Sequence, residues 1–242
     1  LAEVYFGSAD RIVRLDMNEF STENSIYEII GSPDPGARHA EGFLTKKIQD
    51  QPFSLILLDE IEKAHPHVLN LFLQILDEGQ LTDGMGVITN FRNTIIIATS
   101  NAGALFIRDF FKQGDSPQAR DGFKGKLLDA ILQQKLFSPE FINRFDETLL
   151  YYPLTQAEAQ KLAILMLDNL IKDFDKKRGV SILVDMDTVA ALARKGYSVE
   201  FGAREMRRVI TDTVETYLAD RVLTSGAKRG ETITIHREDL RI

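Results

Sequence analysis

Short aliphatic runs alternate along this chain with longer stretches whose apolar positions recur at helical spacing. Leu55-Ile56-Leu57-Leu58 and Ile95-Ile96-Ile97-Ala98 are almost unbroken, the pattern of strands covered on both faces of a parallel sheet. Together with flanking β-type segments they predict four strands, at 11–15, 54–58, 93–99 and 148–152. Pro66 suits a first helical turn, where its missing N–H is no loss, and Val68, Leu69, Phe72, Leu73 and Leu76 follow at helical spacing. The run from Gly79 to Gly86, containing Asp83-Gly84, predicts a turn or small hairpin. Strands alternating with helices point to an α/β fold.

The texture changes further along. From Gly114 to Gly125 the chain is polar, with Pro117 and three glycines, and reads as a mobile loop. Thr155 and Glu158 form a capping box that opens a helix with Leu162, Leu165, Met166, Leu170 and Phe174 on one face, ended by Gly179. A short strand at 180–184, a helix near 188–195, a long helix from 203 to about 223 and a terminal strand at 232–236 follow. The long helix carries Met206, Val209, Ile210, Val214, Tyr217, Leu218 and Val222, a wide apolar stripe. The expected organisation is a large α/β domain over 1–153 and a small, mostly helical domain over 154–242.

Charge and composition narrow the classes of function. The 242 residues hold 29 Lys+Arg against 36 Asp+Glu, a net charge of −7, which disfavours wrapping nucleic acid or docking on an anionic membrane. There is no Cys, so disulfides, thiolate metal sites and thiol nucleophiles are excluded. No apolar run approaches the ~20 residues of a membrane span, and Leu1-Ala2-Glu3-Val4-Tyr5-Phe6 lacks the regions of a signal peptide. A reducing, aqueous compartment, the cytoplasm, is the expectation. Of His39, His65, His67 and His236, only His65 and His67 are close in sequence, and residues two apart do not share a helix face, so no metal site is expected there.

Four places could carry chemistry. In LILLDE at 55–60 two acids follow four aliphatic residues. Carboxylates inside a sheet are costly, so Asp59 and Glu60 should emerge at the strand's carboxyl end, the edge where open parallel sheets bind ligands. Adjacent acids there suit a metal–phosphate site: one carboxylate serves Mg2+ through water while the next activates an attacking water. The same residues also describe a strand followed by two solvated acids. The neighbouring strand ends Ala98-Thr99-Ser100-Asn101, and an amide at its tip could orient the water that a carboxylate polarises. Arg144, in EFINRFDE at 140–147, and Arg204, after a glycine in EFGAREMRR at 200–208, offer forked, permanent cations suited to phosphoryl oxygens. For either, a solvated ion pair is the bland reading.

Taken as a set, LILLDEIEKAHPHVLNLFLQILDEGQLTD (55–83), TSN (99–101), FSPEFINRFDE (137–147) and GYSVEFGAREMRR (196–208) resemble the second ATPase module of Clp-type AAA+ unfoldases and disaggregases. The likeness runs in order from RLDMNEF (14–20) to the terminal strand. It implies an AAA+ three-layer parallel sheet followed by a small helical domain. It further implies Asp59 as a Mg2+ site acting through water and Glu60 as the residue that polarises the attacking water, together a Walker B motif. Asn101 would be a first sensor of the γ-phosphate, Arg144 an arginine finger acting on a neighbouring subunit's ATP, and Arg204 a second sensor. The implied cofactors are ATP and Mg2+. The implied partners are protein substrates, identical subunits in a hexameric ring and a peptidase or co-chaperone, with neither nucleic acid nor membrane.

Two departures from the family pattern change what is expected. No Gly-x-x-x-x-Gly-Lys-Ser/Thr loop occurs: the only Gly-Lys pair is Gly125-Lys126, with Leu127 after it and Arg120 where the first glycine belongs. LAEVYFG at 1–7 resembles the middle of the helix that follows such a loop. Without the backbone N–H cradle and its lysine, this chain alone is expected neither to bind ATP tightly nor to hydrolyse it. The sheet is then expected to lack a strand beside 93–99, leaving a gap, a collapse of 148–152 onto 93–99, or a strand from another chain. The second departure is at 31–43, where the family's pore loop carries an aromatic residue. Here Ala37, Arg38 and His39 occupy the middle, which puts threading in question. The alternative function is a nucleotide-independent adaptor or assembly domain that keeps the ring interfaces.

Overall fold

Five short strands, interleaved with seven α-helices, precede Tyr151 among the described residues of the computed structural model, which describes 1–34, 36, 41–111, 120, 122–198, 202–226 and 229–240. The chain divides into two compact units, 1–107 with 114–150, and 108–113 with 151–242. The elements before Tyr151 are α1 (Ala2–Phe6), β1 (Ile12–Asp16), α2 (Ile26–Ile30), α3 (Phe43–Asp50), β2 (Leu55–Asp59), α4 (Pro66–Glu78), β3 (Gln80–Thr82), β4 (Ile88–Asn90), β5 (Ile95–Ala98), α5 (Ala104–Phe111), α6 (Phe123–Gln133) and α7 (Pro139–Ile142).

The sheet of the first unit has three parallel strands in the order β1-β2-β5. The central position of β2 accounts for its unbroken aliphatic run, since both faces must be covered: Leu55, Ile56 and Leu58 are buried. Register pairs Asp16 with Asp59 and Leu58 with Ala98, so all three strands finish together at one edge. Leu15, Met17, Ile29, Leu44, Ile48, Phe72 and Ile75 complete the core around them. Helix α4 starts where expected, with Pro66 in its first turn and His65 Nδ1 accepting the His67 N–H at 3.3 Å. Its buried face is Val68, Leu71, Phe72 and Ile75, whereas Leu69, Leu73 and Leu76 are half-buried. The predicted turn at 79–86 is a hairpin of β3 and β4.

Two expectations are corrected. Residues 148–152 form no strand, and Leu149 and Tyr151 are 73% and 85% exposed. A strand needs a hydrogen-bonding neighbour, and among the described residues the sheet ends at β5, so 148–152 neither collapses onto that strand nor stands across a gap from it. The polar stretch at 114–125 is not wholly a loop: Phe123 already opens α6, with Gly125 inside the helix. Its residues 114–119 and 121 lie outside the described residues, as do Ala37, Arg38 and His39 of the 31–43 segment.

The second unit contains α8 (Gln156–Arg178), β6 (Ser181–Val184), α9 (Met186–Gly196), α10 (Ala203–Ile210), α11 (Thr216–Ser225) and β7 (Thr232–Ile235). The Thr155–Glu158 capping box opens α8, and Gly179 closes it in the left-handed region at φ 66°. The buried face of α8 is Ala159, Ala163 and Leu167; Leu162, Met166, Leu170 and Phe174 are half-buried and Leu165 is exposed. Small residues let neighbouring helices approach closely, which is why the large residues of the expected stripe sit beside the seam. A π-helical turn at Thr211–Glu215 joins α10 to α11 and keeps Met206, Val209, Ile210, Val214 and Leu218 on one buried face. Strands β6 and β7 pair in parallel.

Candidate active site

The common finishing edge of β1, β2 and β5 collects polar side chains that sequence spacing alone leaves far apart. Asp59 is half-buried at the tip of β2. Its Oδ2 accepts from Arg14 Nη2 at 2.5 Å, and its Oδ1 accepts from the Thr99 hydroxyl at 2.6 Å. The backbone there is tied on both sides: Met17 N–H donates to Asp59 O at 2.9 Å, and Thr99 N–H to Leu58 O at 2.8 Å.

Glu60 leaves the strand with φ 55°, a left-handed backbone that a side chain with Cβ adopts at a cost of order 1–3 kcal/mol. The conformation is over-determined. Glu60 N–H donates to Thr99 Oγ1 at 3.1 Å, and Ile61 N–H donates to Thr99 O at 2.9 Å. The carboxylate is gripped from both neighbouring strands, with Oε2 accepting from Asn18 Nδ2 at 2.8 Å and Oε1 from Asn101 Nδ2 at 3.0 Å. Asn18 is itself oriented by Asp16, whose Oδ1 accepts from Asn18 Nδ2 at 2.8 Å and from its N–H at 3.1 Å. Glu62 holds the other side of the loop, accepting from Ser100 Oγ at 2.7 Å and from Asn101 N–H at 3.1 Å.

Three predicted site residues, Asp59, Glu60 and Asn101, therefore converge. Arg14, Asn18, Thr99 and Glu62 complete the cluster and were assigned no role from sequence. The signal was available: each strand of the sheet runs into polar residues at the same edge, and RLDMNEF places Asn18 just past β1. Carboxylate oxygens with hydroxyl and amide neighbours, and no sulfur or imidazole, match the donor chemistry of a hard divalent cation such as Mg2+, but among the described residues no group of three or more acidic or imidazole side chains is placed to hold one directly.

Arg144 is not part of this cluster. It follows α7, forms an ion pair through Nε with Asp77 Oδ1 and lines a cavity of about 590 Å³ with Gly79, Arg92, Thr94 and Glu147. Thr94 directly precedes β5, so this cavity opens at the starting edge of the sheet, opposite the acids. Nearby, Lys124 donates to Glu147 Oε1 at 2.5 Å; this hydrogen bond, the Lys124 charge and the Thr148 N–H hold the Glu147 carboxyl below its ordinary value. Arg204 belongs to the second unit, exposed in the first turn of α10, and forms no ion pair among the described residues. Arg208 instead takes Glu205, two bonds at 2.6 and 3.1 Å that lower the Glu205 carboxyl and raise the guanidinium.

Residues 1–148 match the family described as AAA domain (Cdc48 subfamily), and 154–235 match the C-terminal, D2-small domain of ClpB protein. The chaperone protein ClpB of Aquifex aeolicus is 42% identical over 99% of this chain and 24% of its own length. The probable chaperone protein ClpB 1 of Chlorobaculum tepidum is 37% identical over 99% of this chain and 55% of its own. The negative regulator of genetic competence ClpC/MecB of Bacillus subtilis is 38% identical over 99% of this chain and 30% of its own. The chain thus spans between about a quarter and about half of the length of these relatives.

Proposed function

We propose that this chain, which belongs to the AAA domain (Cdc48 subfamily) family and carries a ClpB-type D2-small domain, is the nucleotide-hydrolysing module of a ring-forming Clp-type chaperone that couples ATP hydrolysis to protein remodelling. The observation that carries the reading is the grip on Glu60: a strained, half-buried carboxylate held by Asn18 and Asn101 beside Asp59. A carboxylate fixed at a sheet edge is pre-organised to take a proton from water, the step that activates the nucleophile in phosphoanhydride hydrolysis.

In this reading Asp59, oriented by the Thr99 hydroxyl, would hold Mg2+. When bound, Mg2+ supplies charge neutralisation at the phosphates. Glu60 accepts the proton of the attacking water, and Asn101 fixes that carboxylate and senses the γ-phosphate. Arg144, at the opposite edge of the sheet, acts on the nucleotide of a neighbouring subunit, and Arg204 serves as the second sensor from the small domain. Identical subunits in a hexamer, protein substrates, a peptidase or co-chaperone, and the cytoplasm as compartment belong to the same proposal, as does a boundary between the domains at 153. No described helix is long and apolar enough to cross a membrane. The 242 residues contain no Gly-Lys-Ser/Thr cradle, so taken by themselves they are proposed to bind nucleotide weakly.

The test is Glu60→Gln in the protein as the cell makes it. Hydrolysis should fall by at least about 100-fold while Mg-nucleotide affinity stays within a few-fold, the signature of a lost general base. Hydrolysis indifferent to Glu60→Gln overturns the reading in favour of the adaptor alternative.

A further inference from the structure

Glu62 uses both of its carboxylate oxygens on one loop. Oε2 accepts from Ser100 Oγ at 2.7 Å, Oε1 accepts from the Asn101 N–H at 3.1 Å, and Ser100 Oγ in turn accepts from the Ala102 N–H at 3.0 Å. These bonds join the turn after β2 to the segment after β5, across 38 and 39 residues of chain. Between them lies the contact that matters for hydrolysis, Asn101 Nδ2 to Glu60 Oε1 at 3.0 Å. Asn101 is exposed and sits outside regular structure, where its carbonyl accepts the Ala104 N–H at 3.1 Å but no strand ladder or packing fixes its N–H side. Its backbone N–H has one partner in the structure, the Glu62 carboxylate.

We infer that Glu62 is the positioning residue of Asn101: by clamping the Ser100–Asn101 backbone it aims the Asn101 amide at Glu60, and touches neither water nor nucleotide itself. A charged acceptor suits the role, because bonds to ionised acceptors are shorter and stronger than neutral ones. The inference rests on the reading of Asn101 and Glu60 given above. It extends that reading to a residue whose substitution should act through Asn101 alone.

The test combines hydrogen exchange with kinetics on the protein as the cell makes it. In Glu62→Ala, exchange at the Asn101 amide, read from peptides spanning 99–103, should rise by about tenfold or more, as for a loop amide released from its acceptor. In Glu62→Gln, whose amide oxygen still accepts from that N–H, it should stay near the parent. Hydrolysis should fall in kcat by a similar factor in Glu62→Ala and in Asn101→Ala, and the double variant should be no slower than Asn101→Ala within about twofold, since residues acting as one unit are non-additive. Ser100→Ala, a surface change, should give a smaller rise in exchange and carries the test if Glu62→Ala does not fold. Asn101→Ala with parental kcat sinks the reading of Asn101, whereas unchanged exchange in Glu62→Ala, or in Ser100→Ala where that variant stands in, sinks the role of Glu62. Additive kinetic losses also overturn the inference, because they place Glu62 on a separate path.

Discussion

The hydroxyl of Thr99 donates to Asp59 Oδ1 at 2.6 Å and, with the same oxygen, accepts the Glu60 N–H at 3.1 Å. One side chain on β5's exit therefore orients the first acid and stabilises the left-handed backbone of the second. Thr99→Val keeps the branched shape but removes both bonds, leaving the Glu60 N–H without its acceptor. The expected loss is about 1–2 kcal/mol, the range for a hydrogen bond with a charged partner plus an orphaned donor. Thr99→Ser should stay within about 0.5 kcal/mol of the parent, as surface changes that keep a bond do. Urea unfolding checks this: the midpoint should drop for the valine variant with an unchanged slope, and equal midpoints for all three proteins would contradict it.

Two glycines in helices should respond in opposite directions to alanine. Gly196 closes α9 in the core, where an added Cβ would lie 2.7 Å from Met206 Sδ and 2.9 Å from Met206 Cα. The backbone atom cannot swing aside, so Gly196→Ala should destabilise by about 1–3 kcal/mol, the usual cost of overpacking. Gly125 lies exposed within α6 with nothing within 4 Å of its would-be Cβ. Gly125→Ala should therefore stabilise by about 0.5–1 kcal/mol through lower unfolded-chain entropy. Thermal melts of both variants, compared with the parent, should move apart in sign.

These packing effects mark where sequence reading succeeds and where it stops. The strands at the acidic edge were legible because a strand buried on both faces must be apolar until its end, which makes the step from Leu58 to Asp59 visible. Asn18, Thr99 and Glu62 were not assigned roles, because Asn18 reaches Glu60, Thr99 reaches Asp59 and Glu62 reaches Ser100 through strand register across about 40 residues of chain, which no local period encodes. The segment at 148–152 has strand-forming residues, yet propensity describes a fit to a sheet and does not supply the neighbour. In α8 the large residues marked the flank of the buried face, with Leu162, Met166, Leu170 and Phe174 packed half-buried against the core and only Leu165 exposed. The close seam of the second unit selects Ala159 and Ala163 by size, and hydrophobicity alone ranks Leu165 above them.

Acid should loosen the second unit through Asp185. This residue caps α9, accepting the Thr188 N–H at 2.7 Å, and its Oδ2 lies 2.8 Å from His236 Nδ1 just after β7. Thr188, chiefly through that backbone bond, and then His236 lower its carboxyl to about 2 from an ordinary 3.8. The folded state thus binds this proton more weakly than the unfolded chain. The stabilisation is complete above the unfolded value, shrinks as pH falls from 3.8 toward 2, and is gone below 2. Asp185→Asn keeps a capping oxygen but cannot titrate, so its stability should be less steep in pH across that window. Parallel pH–stability curves for the two proteins would exclude the effect.

The separation of Arg144 from Glu60 leads to a prediction about assemblies. Within one chain Arg144 is tied to Asp77 at the starting edge of the sheet, while Glu60 stands at the finishing edge with Asn18 and Asn101. If a competent site takes Glu60 from one subunit and Arg144 from the next, each single variant disables every site in a uniform ring. Arg144→Ala should lower hydrolysis by 10³-fold or more, about the worth of an arginine finger, and Glu60→Gln should be comparably inactive. Mixed rings behave differently: wherever a subunit carrying Arg144→Ala, with its Glu60 intact, faces one carrying Glu60→Gln, with its Arg144 intact, a complete site is restored. Mixing the two inactive proteins under exchanging conditions should therefore recover hydrolysis, greatest near equal proportions and absent without subunit exchange. Arg144→Lys should not substitute for the parent in such mixtures, because a single ammonium lacks the fork that spans two phosphoryl oxygens. If mixing recovers nothing although exchange is shown by an independent label, then Arg144 serves its own chain or only its ion pair with Asp77, and its role in a neighbouring site is wrong.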